Sequence, residues 1–258
     1  MEVILQAKGV VKRFRGVTVL NRVSVELRRG DVKLLIGPNG SGKTTLLRCL
    51  NLLYLPDEGE IYLDGTLISK PGFKVEIVRQ KVGLIFQEAY LFNHMTVLEN
   101  VAVGLKVVRK YQRSRAEAVA KENLDLVGIG AEFWNRYPSQ LSGGQRQRVA
   151  IARTLAMEPD VVLFDEPTAS LDPLGASEVI AVIKDLARAG VTSLIATQDV
   201  RLIAKLPVEA YLLSSGKLVF NGRIDELVNG SLSHFSGVTR SFVQALASDL
   251  RVLGVDAF

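Results

Sequence analysis

The segment Gly37-Pro38-Asn39-Gly40-Ser41-Gly42-Lys43-Thr44 fits the pattern G-x-x-x-x-G-K-[ST], which ends a glycine-rich stretch on a cation and a hydroxyl. Glycines let the backbone turn successive N–H groups toward one point, and a helix starting there adds the positive end of its dipole. Such an array suits a polyphosphate. Lys43 would reach the outer phosphates, the Thr44 hydroxyl would ligate Mg²⁺, and Thr45 would continue the cradle into the helix. A glycine turn that merely enters a helix does not need a lysine there. Asp165 and Glu166 supply what this loop lacks, two carboxylates that close an apolar run at 161–164. Phosphoryl transfer depends on positioning and charge neutralisation more than on covalent chemistry. Asp165 would therefore hold Mg²⁺ through water, and Glu166 would polarise the attacking water. The other reading of Asp-Glu-Pro-Thr is a helix cap.

These groups need a scaffold that gathers them at one edge. Apolar runs of strand length at 32–36, 82–86, 161–164 and 192–197 alternate with segments of helical period. Continuous apolar strands between helices imply a largely parallel sheet covered on both faces, with ligands at the carboxyl ends of the strands. The phosphate loop and the acidic pair both fall at such ends. Residues 89–156 break the alternation, being nearly free of strand patterns and rich in charged helical residues, and they read as a helical insertion. After Gly230 one helical pattern spans about 242–253, an appendage without a recognisable motif.

Leu141-Ser142-Gly143-Gly144-Gln145 is the third chemical element. Ser142 and Gln145 form an S-x-x-Q capping box opening a helix to about residue 157, and the two glycines expose its first N–H groups, a second anion site. With the following RQRVAIARTLAMEPDVVLFDEPTASLD, the segment resembles the signature of the ATP-binding cassette (ABC) proteins. That resemblance implies an α/β fold: a P-loop NTPase (RecA-like) core over 1–88 and 157–230 with a mostly parallel sheet and an antiparallel β subdomain, a helical signature subdomain over 89–156, and the appendage 231–258. It implies ATP and Mg²⁺ as ligands. It also implies a dimer, with identical chains as the simplest case, in which two cassettes pack head to tail and Ser142, Gly143, Gly144, Gln145 and Asp172 act on ATP held by the other chain. Phe14 resembles the aromatic that stacks on adenine, and Gln87 the glutamine that contacts Mg²⁺ and the water. From the residues alone, Phe14 could equally be core and Asp172 an N-cap before Pro173.

One position departs from the family pattern. Where a histidine normally contacts the γ-phosphate, this chain has Gln198, which keeps a donor of similar reach but is never cationic, so hydrolysis is expected to be slower but real. LLRCLNLL and LFNHMTVLENV resemble subunits that energise uptake of polar amino acids through a separate membrane permease, served indirectly by an extracytoplasmic solute-binding protein. Tyr90, Leu91, Phe92 and Met95 would then be exposed and take an amphipathic helix of that permease, the alternative being that they pack within the insertion. Oxyanion (phosphate or tungstate) uptake ATPases share these features. A regulatory cassette that does not hydrolyse is a further alternative, which Lys43, Asp165 and Glu166 argue against.

Composition excludes other classes. With 258 residues, 48% hydrophobic and 23% charged, the chain can bury a substantial core, and disorder is not expected. No uncharged apolar run is long enough to span a bilayer and no secretion signal is recognised, so the resemblance places the chain on the cytoplasmic face of the cell membrane. One cysteine, Cys49, excludes an intrachain disulfide and reads as a core residue, and His94 lacks a second ligand at helical spacing. The 32 basic and 27 acidic residues are interspersed, so nucleic acid is not expected as a partner.

Overall fold

The computed structural model describes residues 2–206 and 208–254. β1 (Val3–Phe14) and β2 (Val17–Arg28) form an antiparallel hairpin closed by Arg15 and Gly16. Both turn residues have positive φ, 49° and 82°, the handedness that matches the twist of the flanking strands. β3 (Val32–Ile36) runs through the glycine-rich loop into α1 (Lys43–Leu50). β4 (Glu58–Leu63) and β5 (Thr66–Leu67) return to the hairpin, giving an antiparallel sheet in the order β2-β1-β4-β5. α2 (Val75–Lys81) leads to β6 (Val82–Ile85). Next come α3 (Val97–Val107), α4 (Arg113–Leu126), 3₁₀ turns at Ala131–Phe133 and Pro138–Gln140, and α5 (Gly143–Leu155). β7 (Val161–Asp165), α6 (Pro173–Arg188), β8 (Ser193–Ala196), α7 (Val200–Lys205), β9 (Glu209–Ser214), β10 (Lys217–Arg223), α8 (Ile224–Asn229) and α9 (Gly237–Val252) complete the described chain.

The second sheet has the order β10-β9-β3-β8-β7-β6, parallel throughout except for β10 on the edge. Its strand residues alternate between two cores. Leu34, Ile36, Phe164, Ile195 and Leu212 pack with Val101, Val149 and Val179 of the helices on one face. Leu35, Leu163, Leu194 and Leu213 pack with Leu46 and Leu47 of α1 and with Leu5, Leu27 and Ile61 of the antiparallel sheet on the other. Burial on both faces is why these strands read as unbroken apolar runs. Buried Tyr211 ties the two sheets together, its hydroxyl donating to the Glu26 carbonyl (2.8 Å) and accepting from the Glu26 N–H (3.1 Å). Cys49 is a buried core residue whose thiol is pushed up to about 12 by burial, so it holds its proton at neutral pH.

Several boundaries differ from the sequence expectations. The strand expected at 82–86 ends at Ile85, and that at 192–197 narrows to Ser193–Ala196. The signature helix stops at Leu155, short of 157. The last helix begins at Gly237 rather than near 242: the poor helix propensity of Gly237, Val238, Thr239 and Ser241 hides its first turn in the sequence, and packing of Val243, Leu246 and Leu250 holds the helix.

Of the four residues expected to be exposed before α3, Tyr90 and Phe92 are exposed, whereas Leu91 and Met95 are half-buried. Leu91 packs against the main core. Buried Asn100 organises this segment. Its amide donates to the carbonyls of Phe92 (3.0 Å), Met95 (3.1 Å) and Thr96 (3.0 Å) and accepts from the Phe92 N–H (2.7 Å). Asn100→Ala would leave those groups unpaired, at a cost of about 2–3 kcal/mol. A lower urea midpoint with an unchanged slope is the expected result.

Candidate active site

The phosphate loop starts where β3 ends, and its shape requires glycine at particular points. Gly37 has φ 150°, and a Cβ there would sit 2.0 Å from the Leu213 carbonyl oxygen. Gly42, at φ 107°, caps α1 with no room for a side chain, since a Cβ would lie 2.9 Å from Leu20. Lys43 is buried and its ammonium folds back over the loop, donating to the carbonyls of Gly37 (2.9 Å) and Pro38 (3.3 Å) and pairing with Glu166 at 3.5 Å. Burial lowers the Lys43 pKa, an effect opposed by Glu166 and Asp165. The Ser41 hydroxyl is buried without a partner among the described residues, a state that a ligand in the loop would relieve.

β7 delivers the carboxylates. Asp165 is buried and accepts from the Thr44 hydroxyl at 2.7 Å. Glu166 takes a left-handed backbone, φ 47°, as the chain leaves the strand, a conformation that costs a residue with a Cβ about 1–3 kcal/mol and tends to mark functional sites. That turn lets its carboxylate meet Lys43 and accept the Gln198 N–H at 3.0 Å. Burial raises the pKa of both acids, against the Thr44 hydrogen bond for Asp165 and the Lys43 charge for Glu166.

Lys43, Thr44, Glu166 and Gln198 line two adjoining clefts, with Asp165 behind Thr44. One, of about 250 Å³, is bounded by Val19, Asn39 to Thr45, Gln87 and Glu166. The other, of about 610 Å³, shares Asn39, Gln87 and Glu166 and adds Gln198 and the 168–171 turn. The hydroxyl of Thr44, the carboxylate of Asp165 and the amide oxygen of Gln87 are hard oxygen donors, the set that suits Mg²⁺. Phe14 does not line the phosphate cleft. It ends β1 with 38% of its surface exposed and leans edge-on against Tyr54 at 5.2 Å, so it is not ordinary core.

The signature segment lies apart from the phosphate cleft. Ser142 accepts from the Gln145 N–H (3.1 Å) and Gln145 accepts from the Ser142 N–H (2.9 Å), the reciprocal cap that S-x-x-Q implies. The N–H groups of Gly143 and Gly144, in the first turn of α5, have no acceptor within the helix. Asp172 caps α6, accepting from the Gly175 N–H at 2.9 Å. The two helix starts touch through glycine backbones: a Cβ on Gly144 would lie 2.6 Å from the Gly175 Cα.

Sequence reasoning missed the side chains that join these parts. Buried Gln147 donates to the Phe86 carbonyl (2.9 Å), fixing the exit of β6 just before Gln87. Arg153 donates to the carbonyls of Ala89 (3.0 Å) and Tyr90 (2.8 Å). The result is a groove of about 410 Å³ floored by Gly143, Arg146 and Gln147 and walled by Tyr90 and Leu91.

The chain is similar to known proteins in sequence and in fold. A profile of the family described as "ABC transporter" matches residues 20–169. The glutamine transport ATP-binding protein GlnQ of Escherichia coli (strain K12) is 41% identical over 225 residues, covering 87% of this chain and 93% of that protein. The L-cystine import ATP-binding protein TcyN of Bacillus subtilis (strain 168) is 42% identical over 227 residues, covering 87% of each. Among solved structures, the cassette MJ0796, a dimer in a post-hydrolysis state bound to ADP and Pi, superposes with a TM-score of 0.75 at 30% identity, covering 85% of this chain and 98% of that one. The chain therefore belongs to the ABC transporter family. It is an ATP-binding subunit that couples ATP hydrolysis to transport. No helix among the described residues is long and apolar enough to cross a membrane.

Proposed function

We propose that two copies of this chain close head to tail on ATP·Mg²⁺ and that their hydrolysis cycle drives import of a polar amino acid through a separate permease at the cytoplasmic face of the membrane. The convergence of Lys43, Thr44, Glu166 and Gln198 on adjoining clefts, with buried Asp165 hydrogen-bonded to Thr44 behind them, carries this reading. The names of the relatives, which include transporters of glutamine and cystine, support the solute class. The dimeric state of MJ0796 supports the pairing.

In this reading the backbone N–H groups of residues 39–45 hold the phosphates. Lys43 leaves the Gly37 and Pro38 carbonyls for the outer phosphates, which frees Glu166 to orient water. Thr44, Asp165 and Gln87 hold Mg²⁺, which neutralises charge on the phosphates. Gln198 donates to the γ-phosphate, and Phe14 stacks on adenine. Ser142, Gly143, Gly144, Gln145 and Asp172 address the partner's ATP. The groove beside Tyr90, Leu91, Phe92 and Met95 receives the permease. Glu166→Gln tests the core of this proposal: turnover should fall by at least about 10²-fold while ATP binding persists, and light scattering should detect an ATP-dependent dimer. A variant that binds ATP and stays monomeric at all concentrations overturns it.

A further inference from the structure

Gln198 is held on two sides. Its backbone N–H donates to Glu166 at 3.0 Å, and its side-chain Nε2 donates to the Asn39 Oδ1 at 2.8 Å. Asn39 is an exposed residue of the phosphate loop, and both amides line the cleft that contains Glu166 and Gln87. We infer that Asn39 is the positioning residue for Gln198, clamping its amide so that this neutral side chain contacts the terminal phosphate from one fixed geometry; this rests on the hydrolytic reading above.

The need for a clamp follows from the chemistry of glutamine. Its side chain has three rotatable bonds, and its terminal amide can present either N–H or C=O by rotation about the last of them. A donor stabilises charge developing in a transition state only if it is already aimed. An unclamped glutamine would spend most of its time in other rotamers, or with its oxygen toward the phosphate. With the Asn39 Oδ1 turned toward it, Gln198 presents its N–H side to the loop. One Nε2 hydrogen then points at Asn39, leaving the second, together with the Asn39 amide hydrogens, as donors to the cleft. Two linked neutral amides thus occupy the place of a single side chain that could carry charge.

A double-mutant cycle on the full chain tests the clamp. Asn39→Ala and Gln198→Ala should each lower kcat by about five- to tenfold with KM for ATP changed less than about twofold, and the double variant should match either single. In a Gln198→His background, kcat should fall as pH rises through about 6.5, where imidazole loses its charge, and Asn39→Ala should then have little effect. The Gln198 side-chain amide protons should exchange faster with solvent in Asn39→Ala. Additive losses, or a raised KM as the main effect, would mean that Asn39 serves the loop in general and overturn the clamp while leaving the hydrolytic reading intact. A native chain that binds ATP without turning it over overturns both.

Discussion

Lys43→Ala should reduce ATP turnover by about 10²- to 10³-fold and abolish the stabilisation of the chain by ATP·Mg²⁺. A preorganised cation or donor at a transferring phosphoryl group typically contributes that much to the rate. Among the described residues, Lys43 is the only lysine that lines the phosphate cleft. The electrostatics sharpen the expectation. Burial lowers the Lys43 pKa, so its contribution to stability is present above its ordinary value and lost as pH falls through the folded one. Burial raises those of Asp165 and Glu166, so theirs is present below the ordinary carboxylate values and lost as pH rises through the folded ones. Burial thus works against the charged form of all three groups in the nucleotide-free site. Removing Lys43 would leave Glu166 and the Gly37 and Pro38 carbonyls without their donor, so the Tm of the free chain should fall, while the native chain at about 100 times its Kd should gain about 2.7 kcal/mol from ligand. Differential scanning fluorimetry with and without ATP·Mg²⁺ reads both quantities, and a variant that keeps its ligand-induced shift would contradict the role given to Lys43.

Gly144→Ala should lower turnover by about 10²-fold, with single-chain ATP binding intact. The added methyl would lie 2.6 Å from the Gly175 Cα and 3.1 Å from its carbonyl oxygen, both backbone atoms that cannot swing aside. α5 and α6 must then separate, and a displacement near 1 Å in a positioning element is enough for a loss of that size. The phosphate cleft does not include Gly144, so ATP affinity of the monomer should be preserved. Gly175→Ala should be milder, since its Cβ would meet Gly144 atoms at 3.2 Å. ATPase assays paired with nucleotide titrations distinguish the two effects, and equal loss of binding and turnover would count against the separation of roles.

Much of this was legible in the residues because short-range chemistry leaves short-range patterns. The phosphate loop, the acidic strand end and the S-x-x-Q cap each occupy a few consecutive positions, and each folds into the local structure its pattern implies. The antiparallel sheet was implied by the resemblance rather than by the apolar runs. What stayed hidden were contacts between distant segments. Gln147 meets Phe86 across 61 positions, Arg153 meets Ala89 across 64, and Gln198 meets Asn39 across 159. No spacing rule links such pairs. Whether Leu91 and Met95 are exposed or pack inward stayed open for the same reason, because exposure in an irregular segment depends on what a buried side chain such as Asn100 gathers around it.

The glycine contact between α5 and α6 has a consequence for how two such chains would count ATP. The turn that carries Glu166 runs directly into the cap of α6, and α6 leans on the start of α5 without an intervening side chain. In the proposed head-to-tail pair, a tilt imposed on α5 by a neighbour's nucleotide would pass, with little slack, to the carboxylate beside the chain's own. Each site of a pair would register whether the other is filled, and occupancy by ATP should rise more steeply with concentration than independent sites allow.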